Sequence, residues 1–172
     1  MGAETLQGKY ILAVDDEPDI LAVIGEELDK FGVKLDTATT FEEARQRILS
    51  YTYDVVVLDI MGVQGFDLLE LASSRNMPAV MLTAHALSPE ALKKSIELGA
   101  RAYVPKDEID KIGPFLEDVL TLSYEGAWKS HLSKLAGYFG AQFGPDWRKS
   151  EKEFWADFEK NLDVKESTII KS

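Results

Sequence analysis

Short apolar runs alternate along residues 10–122 with longer segments whose apolar residues recur at helical spacing. The runs have the length of strands, and most are β-branched: 10–14, 34–37, 55–58, 79–82 and 102–104. The stronger runs are apolar on both faces, as the strands of a buried parallel sheet are. The pattern therefore predicts five buried strands.

The segments between these strands are amphipathic. In the first, Ile20, Ile24 and Leu28 repeat at helical spacing and Gly32 follows as a stop, while a later helix begins at Ser88 as its cap. Five strands alternating with five helices imply right-handed crossovers and an α/β fold with an open, doubly wound parallel sheet. In such a sheet, functional residues gather on loops at the carboxyl ends of the strands.

Residues 123–172 have a different pattern and include all three tryptophans. Two apolar stripes at helical spacing flank a break at residues 144–146: Trp128, Leu132, Leu135, Phe139 and Phe143, then Trp147, Phe154, Trp155, Phe158 and Leu162. They predict an extension of two amphipathic helices, most simply a hairpin, with Asp146 as the second cap and a weak point at Gly137 and Gly140. The aromatic stripes either pack on the first domain and on each other or form a dimer or partner interface.

Composition narrows the class of protein. The 45% hydrophobic fraction suits a globular core, and the absence of cysteine excludes disulfides and thiolate metal sites. No signal peptide or membrane-length apolar run is visible, so we expect a cytoplasmic location without membrane insertion. The net charge of −11 lies wholly in residues 1–122, because residues 123–172 hold eight basic and eight acidic residues. Direct nucleic-acid binding is therefore not expected.

Polar side chains follow four of the predicted strands. Asp15 and Asp16 follow the first, Asp59 the third and Thr83 the fourth, and Lys106 comes just after the fifth. A parallel sheet brings these strand ends to one edge, where three carboxylates need a counter-charge. Mg²⁺ suits oxygen ligands completed by water and phosphate, and a lysine and a hydroxyl are complementary donors for phosphate oxygens.

This arrangement resembles the receiver domain of two-component response regulators over residues 8–122, with residues 123–172 as a helical extension. The resemblance is carried by four motifs in order: Val14-Asp15-Asp16-Glu17-Pro18, Val57-Leu58-Asp59-Ile60-Met61, Leu82-Thr83-Ala84 and Tyr103-Val104-Pro105-Lys106. It implies a flavodoxin-like sheet with strand order 2-1-3-4-5, and a phosphoacceptor that catalyses its own phosphorylation and dephosphorylation but is not otherwise an enzyme.

The resemblance also assigns roles to the acidic residues. Asp59 would attack the phosphohistidine of a sensor histidine kinase or phosphotransfer protein and become the phosphorylated residue. Asp16, the Asp59 carboxylate and the backbone carbonyl of Met61 would bind Mg²⁺ directly. Asp15 would hold the metal through water.

The remaining site residues are expected to sense the phosphoryl group. Lys106 would pair with Asp59 or its phosphoryl group, and Thr83 would hydrogen-bond a phosphoryl oxygen. Tyr103 matches the aromatic switch position, whose ring turns inward when the threonine moves. The output partner is unknown, and a homodimer could form through the fourth-helix, fifth-strand and fifth-helix face or through the extension.

Two loops depart from the family's common pattern. Gly62 stands near the position of a usual proline, and the loop between Asp59 and Gly65 is short. In the other loop, proline precedes Lys106 and Asp107 follows it, whereas the family usually has a proline directly after the lysine.

Two other functions stay open. One is a receiver-fold interaction module that works without phosphorylation. The other is a Mg²⁺-dependent phosphohydrolase, which would need a second acid two residues past the nucleophile, where Met61 stands. Of the two histidines, His85 is expected on a loop at the mouth of the pocket, and His131 on a helix of the extension, solvated or packed.

Overall fold

A computed structural model describes residues 5–84 and 88–171, without the side chains of residues 150 and 163–171. His85, expected at the mouth of the pocket, lies outside the described residues. Among the residues described, no helix is long and apolar enough to span a membrane. The cytoplasmic location stays a prediction.

Five parallel strands form the sheet, in the order β2-β1-β3-β4-β5. Their bounds are β1 Tyr10–Val14, β2 Lys34–Ala38, β3 Val55–Asp59, β4 Ala79–Thr83 and β5 Ala102–Pro105. All residues of β3, β4 and β5 are buried, because helices cover both faces of a doubly wound sheet. The predicted fold class and strand order are confirmed.

Five helices follow the strands in turn. They are α1 Pro18–Asp29, α2 Phe41–Ser50, α3 Gly65–Ser74, α4 Pro89–Glu97 and α5 Ile112–Thr121, the last preceded by a 3₁₀ segment at Lys106–Lys111. Local sequence explains their ends. The Thr40 and Ser88 hydroxyls accept the N–H groups of Glu43 and Ala91, and Gly99 ends the α4 segment at a φ of +98°.

Residues beyond α5 form two further helices, α6 Tyr124–Phe143 and α7 Lys152–Lys171, which we call the C-terminal hairpin. Trp128 near the start of α6 contacts Phe158, whereas Phe143 at the end of α6 contacts Trp147 in the connecting turn, and Trp147 contacts Trp155 near the start of α7. The two helices are therefore antiparallel. The expected weak point at Gly137 and Gly140 does not interrupt α6.

The second helix of the hairpin begins later than predicted. Asp146 lies in a turn, a 3₁₀ segment follows at Lys149–Glu151, and α7 begins only at Lys152. Asp146 accepts the N–H of Lys149 with its backbone oxygen and pairs with the Lys149 ammonium at 3.4 Å. It therefore stabilises the turn between the two helices and does not cap α7.

The hairpin packs against the sheet domain. Trp128 is fully buried, and its indole Nε1 donates to the carbonyl oxygen of Ala100 at 2.9 Å. On α4, Lys93 pairs with Glu151 at 3.0 Å and lies over the Phe154 ring. The aromatic residues thus pack on the first domain and on each other, which is one of the two predicted alternatives. A boundary between two domains at residue 122 stays a prediction.

Candidate functional site

The carboxyl ends of β1 and β3 bring two buried acids together. Val14 is paired with Leu58 in the parallel register, so Asp15 and Asp59 come one residue later on neighbouring strands. Asp15 is fully buried and Asp59 is 5% exposed. Carboxylates are rarely buried to this degree without partners, so the neighbours of these two decide their chemistry.

Lys106 is the cation at this site. Its Nζ lies 2.9 Å from Asp15 Oδ2, 3.2 Å from Asp59 Oδ1 and 3.5 Å from Glu17 Oε1. The lysine reaches the acids because β5 ends at Pro105, next to the carboxyl end of β4. Glu17 was not predicted at this site, and its signal in the sequence is its position directly after the acidic pair.

The charges at this site do not balance. Burial raises the pKa of Asp15, and the hydrogen bonds from the Glu17 N–H and from Lys106 do not offset it. Burial alone would lower the pKa of Lys106, but Asp15 and Asp59 outweigh burial and raise it. Lys106 is thus a fixed cation shared by more carboxylates than it can neutralise, and a further positive charge would stabilise the site.

The loop after Asp59 approaches the two carboxylates closely. The Gly62 N–H donates to Asp59 Oδ2 at 3.1 Å. A Cβ at this position would collide with the Asp16 carboxylate and would lie 2.6 Å from Asp59 Oδ2. A Cβ at Gly65 would likewise collide with the backbone oxygen of Asp59. Glycine at both positions therefore allows the short loop to close over the strand end while leaving space beside the acids.

Thr83 and Tyr103 are neighbours near the carboxyl ends of β4 and β5, next to the acidic residues. Thr83 ends β4 and is 1% exposed. Its hydroxyl donates to the backbone oxygen of Ala84 at 3.5 Å, and both Thr83 and the Ser88 backbone lie close enough to the Tyr103 hydroxyl to lower its pKa. The Tyr103 ring is fully buried, and burial is the main reason that the pKa of its hydroxyl rises to about 12. The predicted switch pair is therefore in direct contact, with the ring already inside.

A cavity of about 210 Å³ opens over the strand ends. It is lined by Asp16, Glu17, Asp59, Ile60, Met61, Gly62, Thr83, Ala84 and Lys106. Five of the predicted site residues thus share this cavity. Asp15 lies buried behind it in contact with Lys106, and Tyr103 lies beyond Thr83. The structure brings the predicted residues to one place, while the roles assigned to them stay predictions.

The same arrangement of sequence and fold occurs in known proteins. The family described as response regulator receiver domain matches residues 11–112 of this chain. The sensory transduction protein LytR of Staphylococcus haemolyticus is 36% identical over 107 residues, which are 59% of this chain and 41% of LytR. The probable transcriptional regulator ycf27 of Cyanidium caldarium is 32% identical over 114 residues, 62% of this chain and 45% of ycf27. The chain thus covers less than half of the length of either relative.

Solved structures agree with the sequence match. The chemotaxis protein CheY4 of Vibrio cholerae is 26% identical with a TM-score of 0.60, covering 66% of this chain and 99% of CheY4. The BeF₃-activated receiver domain of DrrB from Thermotoga maritima is 28% identical with a TM-score of 0.58, covering 66% of this chain and 98% of that domain. Because the family match spans more than half of the chain, this protein belongs to the response regulator receiver domains of two-component signal transduction.

Proposed function

We propose that Asp59 accepts a phosphoryl group from the phosphohistidine of a sensor histidine kinase or phosphotransfer protein, and that the modified aspartate switches a protein-interaction surface. The placement of the Asp59 carboxylate supports this proposal. One oxygen faces the Lys106 ammonium at 3.2 Å, the other accepts the Gly62 N–H at 3.1 Å, and Asp59 lines the cavity over the strand ends. A nucleophile held in this way is oriented before the donor arrives.

The phosphoryl transfer needs no reactant other than the phosphohistidine donor, Asp59 and a proton from water. A carboxylate oxygen of Asp59 attacks the phosphorus atom, the phosphorus–nitrogen bond to the donor histidine breaks, and its electron pair stays on the imidazole, which takes up a proton. The product is an acyl phosphate on Asp59. Lys106 and the backbone N–H of Gly62 stabilise the negative charge that gathers on the transferring group.

The donor set fits a divalent cation. Oxygen atoms of Asp15, Asp16 and Glu17 lie within 4.8 Å of one another. A Cβ at Gly62 would fill the space between the Asp16 and Asp59 carboxylates, so the loop leaves a cradle there. Hard oxygen ligands with partial solvent access suit Mg²⁺. Asp16, the Asp59 carboxylate and the Met61 carbonyl would hold the ion and Asp15 would act through water, while the ion would supply charge neutralisation of the phosphoryl oxygens.

Incubation with acetyl phosphate and Mg²⁺, followed by intact mass measurement, tests the proposal. We expect one added phosphoryl group, which is absent in Asp59→Asn and in samples with EDTA. Asp29→Asn, an exposed exchange at the end of α1, is the matched control and should be labelled like the wild type. A wild-type chain that gains no mass while another receiver is labelled in parallel would contradict phosphorylation and favour the phosphorylation-independent module. Continuous phosphate release from a phosphomonoester, with no phosphoryl group accumulating on Asp59, would instead favour the phosphohydrolase.

A further inference from the structure

Helix α6 covers the outer edge of β5. As the last strand of the sheet, β5 has backbone groups that no neighbouring strand can pair. His131 Nε2 lies 2.7 Å from the carbonyl oxygen of Tyr103 and 3.0 Å from its nitrogen, so either ring tautomer makes one of these bonds. His131 is 2% exposed, and burial lowers its pKa to about 4, which keeps the ring neutral at pH 7. The helix thus supplies a hydrogen-bond partner to the backbone of Tyr103, as a sixth strand would.

Two later residues of α6 contact the same short segment. Phe139 is fully buried and packs on the Tyr103 ring, with 6.1 Å between ring centroids. The Tyr138 hydroxyl donates to Asp107 Oδ2 at 2.9 Å. Asp107 directly follows Lys106, at the position where the family usually has proline. Helix α6 therefore holds both the switch tyrosine and the residue next to the site lysine.

The inner side of this segment faces the phosphoacceptor site. The Tyr103 hydroxyl lies beside the Thr83 side chain, and Lys106 Nζ pairs with Asp59 Oδ1. Tyr103 and the Lys106–Asp107 pair consequently touch the site on one side and α6 on the other. The shortest connection between Asp59 and the hairpin therefore runs through Lys106 and its neighbour Asp107.

We propose that the C-terminal hairpin is a built-in reader of Asp59, docked on β5 while Asp59 is unmodified and loosened when it carries a phosphoryl group. This inference rests on the proposed function. The Thr83 hydroxyl donates its one proton to the backbone oxygen of Ala84 and lies beside the Tyr103 hydroxyl. A charged phosphoryl oxygen is a stronger acceptor for that proton than either of these oxygens. Lys106 also turns toward the phosphoryl oxygens, which draws Asp107 away from Tyr138. Both changes remove partners from contacts that hold α6.

Loosening would have two consequences. The edge of β5 would become available to a partner, together with the aromatic face of α6 that now lies against it. Because coupling between two sites is reciprocal, a docked hairpin must also disfavour the phosphorylated state. Weakening the dock should therefore favour the modification of Asp59.

The tryptophans provide a direct readout. Trp128, Trp147 and Trp155 all lie in the C-terminal hairpin or its connecting turn, and residues 1–122 contain none. In the full-length chain with Mg²⁺ and acetyl phosphate, intact mass reports the state of Asp59 and tryptophan emission reports the hairpin in the same sample. We expect a shift of the emission to longer wavelength in step with the mass change, as Trp128 becomes solvated.

Tyr138→Phe tests the contact between the hairpin and β5 by changing the hairpin instead of Asp59. Loss of one hydrogen bond to a carboxylate should raise the apparent affinity for beryllofluoride, a phosphoryl analogue, about fivefold. Tyr51→Phe removes the same atom from a tyrosine that is 49% exposed and lies away from the site, and should leave this affinity unchanged.

The outcomes separate this inference from the proposed function. A full mass shift with unchanged or blue-shifted emission would overturn the reader alone, as would a Tyr138→Phe variant that binds beryllofluoride like the wild type. Absence of the mass shift would overturn the proposed function and the reader with it.

Discussion

Two polar clusters at different ends of the sheet neutralise their carboxylates in different ways. In β2, Asp36 Oδ2 accepts the hydroxyl groups of Tyr10 at 2.6 Å and of Tyr53 at 2.8 Å, and lies 3.5 Å from Arg47 Nη1. Tyr10 begins β1, whereas Asp59 ends β3, so the Asp36 cluster lies toward the amino ends of the strands. At the carboxyl ends, several acids share one lysine.

The pKa values express this difference. Burial raises the pKa of Asp36, but hydrogen bonds from Tyr10 and Tyr53 and the charge of Arg47 bring it below its ordinary value. Burial raises the pKa of Asp15, and the hydrogen bonds that Asp15 accepts do not return this pKa to its ordinary value. A carboxylate with enough donors stabilises the fold, whereas a crowded one is suited to bind a cation or an electrophile. The balance of donors, more than the number of acids, distinguishes a structural cluster from a reactive one.

Removing the cation from each cluster should give the largest difference between the two clusters, measured as the rate at which Asp59 is labelled. In Lys106→Met, loss of the ammonium at Asp59 should slow labelling by acetyl phosphate about 100-fold, as loss of an oriented charge-stabilising donor does in enzymes. In Arg47→Met, labelling should proceed at the wild-type rate, because Arg47 pairs with Asp36, away from the carboxyl ends of the strands. Labelling rates from intact mass at fixed Mg²⁺ measure both.

Equal losses in the two variants would contradict the comparison. They would mean that labelling depends on the overall stability of the sheet and not on the charge beside Asp59. Urea unfolding of each variant, recorded alongside, distinguishes a folded but unreactive Lys106→Met from a protein that has lost its structure.

The loop over Asp59 can be tested with a pair of glycine variants. In Gly62→Ala, the added Cβ enters the space between Asp16 and Asp59, so labelling should slow about 10-fold. We expect Mg²⁺ to raise the stability of the wild type by binding the folded state, and we expect this gain to be absent in Gly62→Ala. Gly137→Ala adds the same carbon to α6 with no atom within 4 Å, and should be labelled normally while unfolding at slightly higher urea. A Gly62→Ala variant that keeps its response to Mg²⁺ would place the cation elsewhere.

Most of the fold and much of the site could be predicted because their signals are local. Apolar runs set the strands, Ser88 sets a helix start, and the parallel topology brings Asp15 and Asp59 to one edge. The cap assigned to Asp146 was wrong, because a turn with its own hydrogen bonds delays α7 to Lys152.

The contacts that could not be predicted join residues far apart in sequence. His131 meets Tyr103 across 28 residues and Tyr138 meets Asp107 across 31. Helical periodicity tells which residues share a face of α6, but the register of that helix on β5 depends on packing of the whole hairpin. The Asp36 cluster was missed for the same reason, since its tyrosines come from two other segments.

Replacing the key acid in each cluster should change stability in opposite directions. In EDTA at pH 7, Asp36→Asn should lower the free energy of unfolding by about 1 kcal/mol, because the amide accepts hydrogen bonds more weakly than the carboxylate. Asp15→Asn should raise it, because it removes a buried charge that its neighbours do not fully compensate. Urea unfolding at a series of pH values measures both.

The pH dependence fixes the origin of each effect. A lowered pKa in the folded state means that Asp36 contributes stability above its unfolded pKa of about 4, and that this contribution is lost as the pH falls through the folded value. The deficit of Asp36→Asn should therefore shrink in acid. A raised folded pKa means the reverse for Asp15: the cost of its charge is absent below the unfolded pKa and complete above the folded one. The advantage of Asp15→Asn should hence grow as the pH rises from 4. If both differences stayed constant with pH, packing and not charge would distinguish the two clusters.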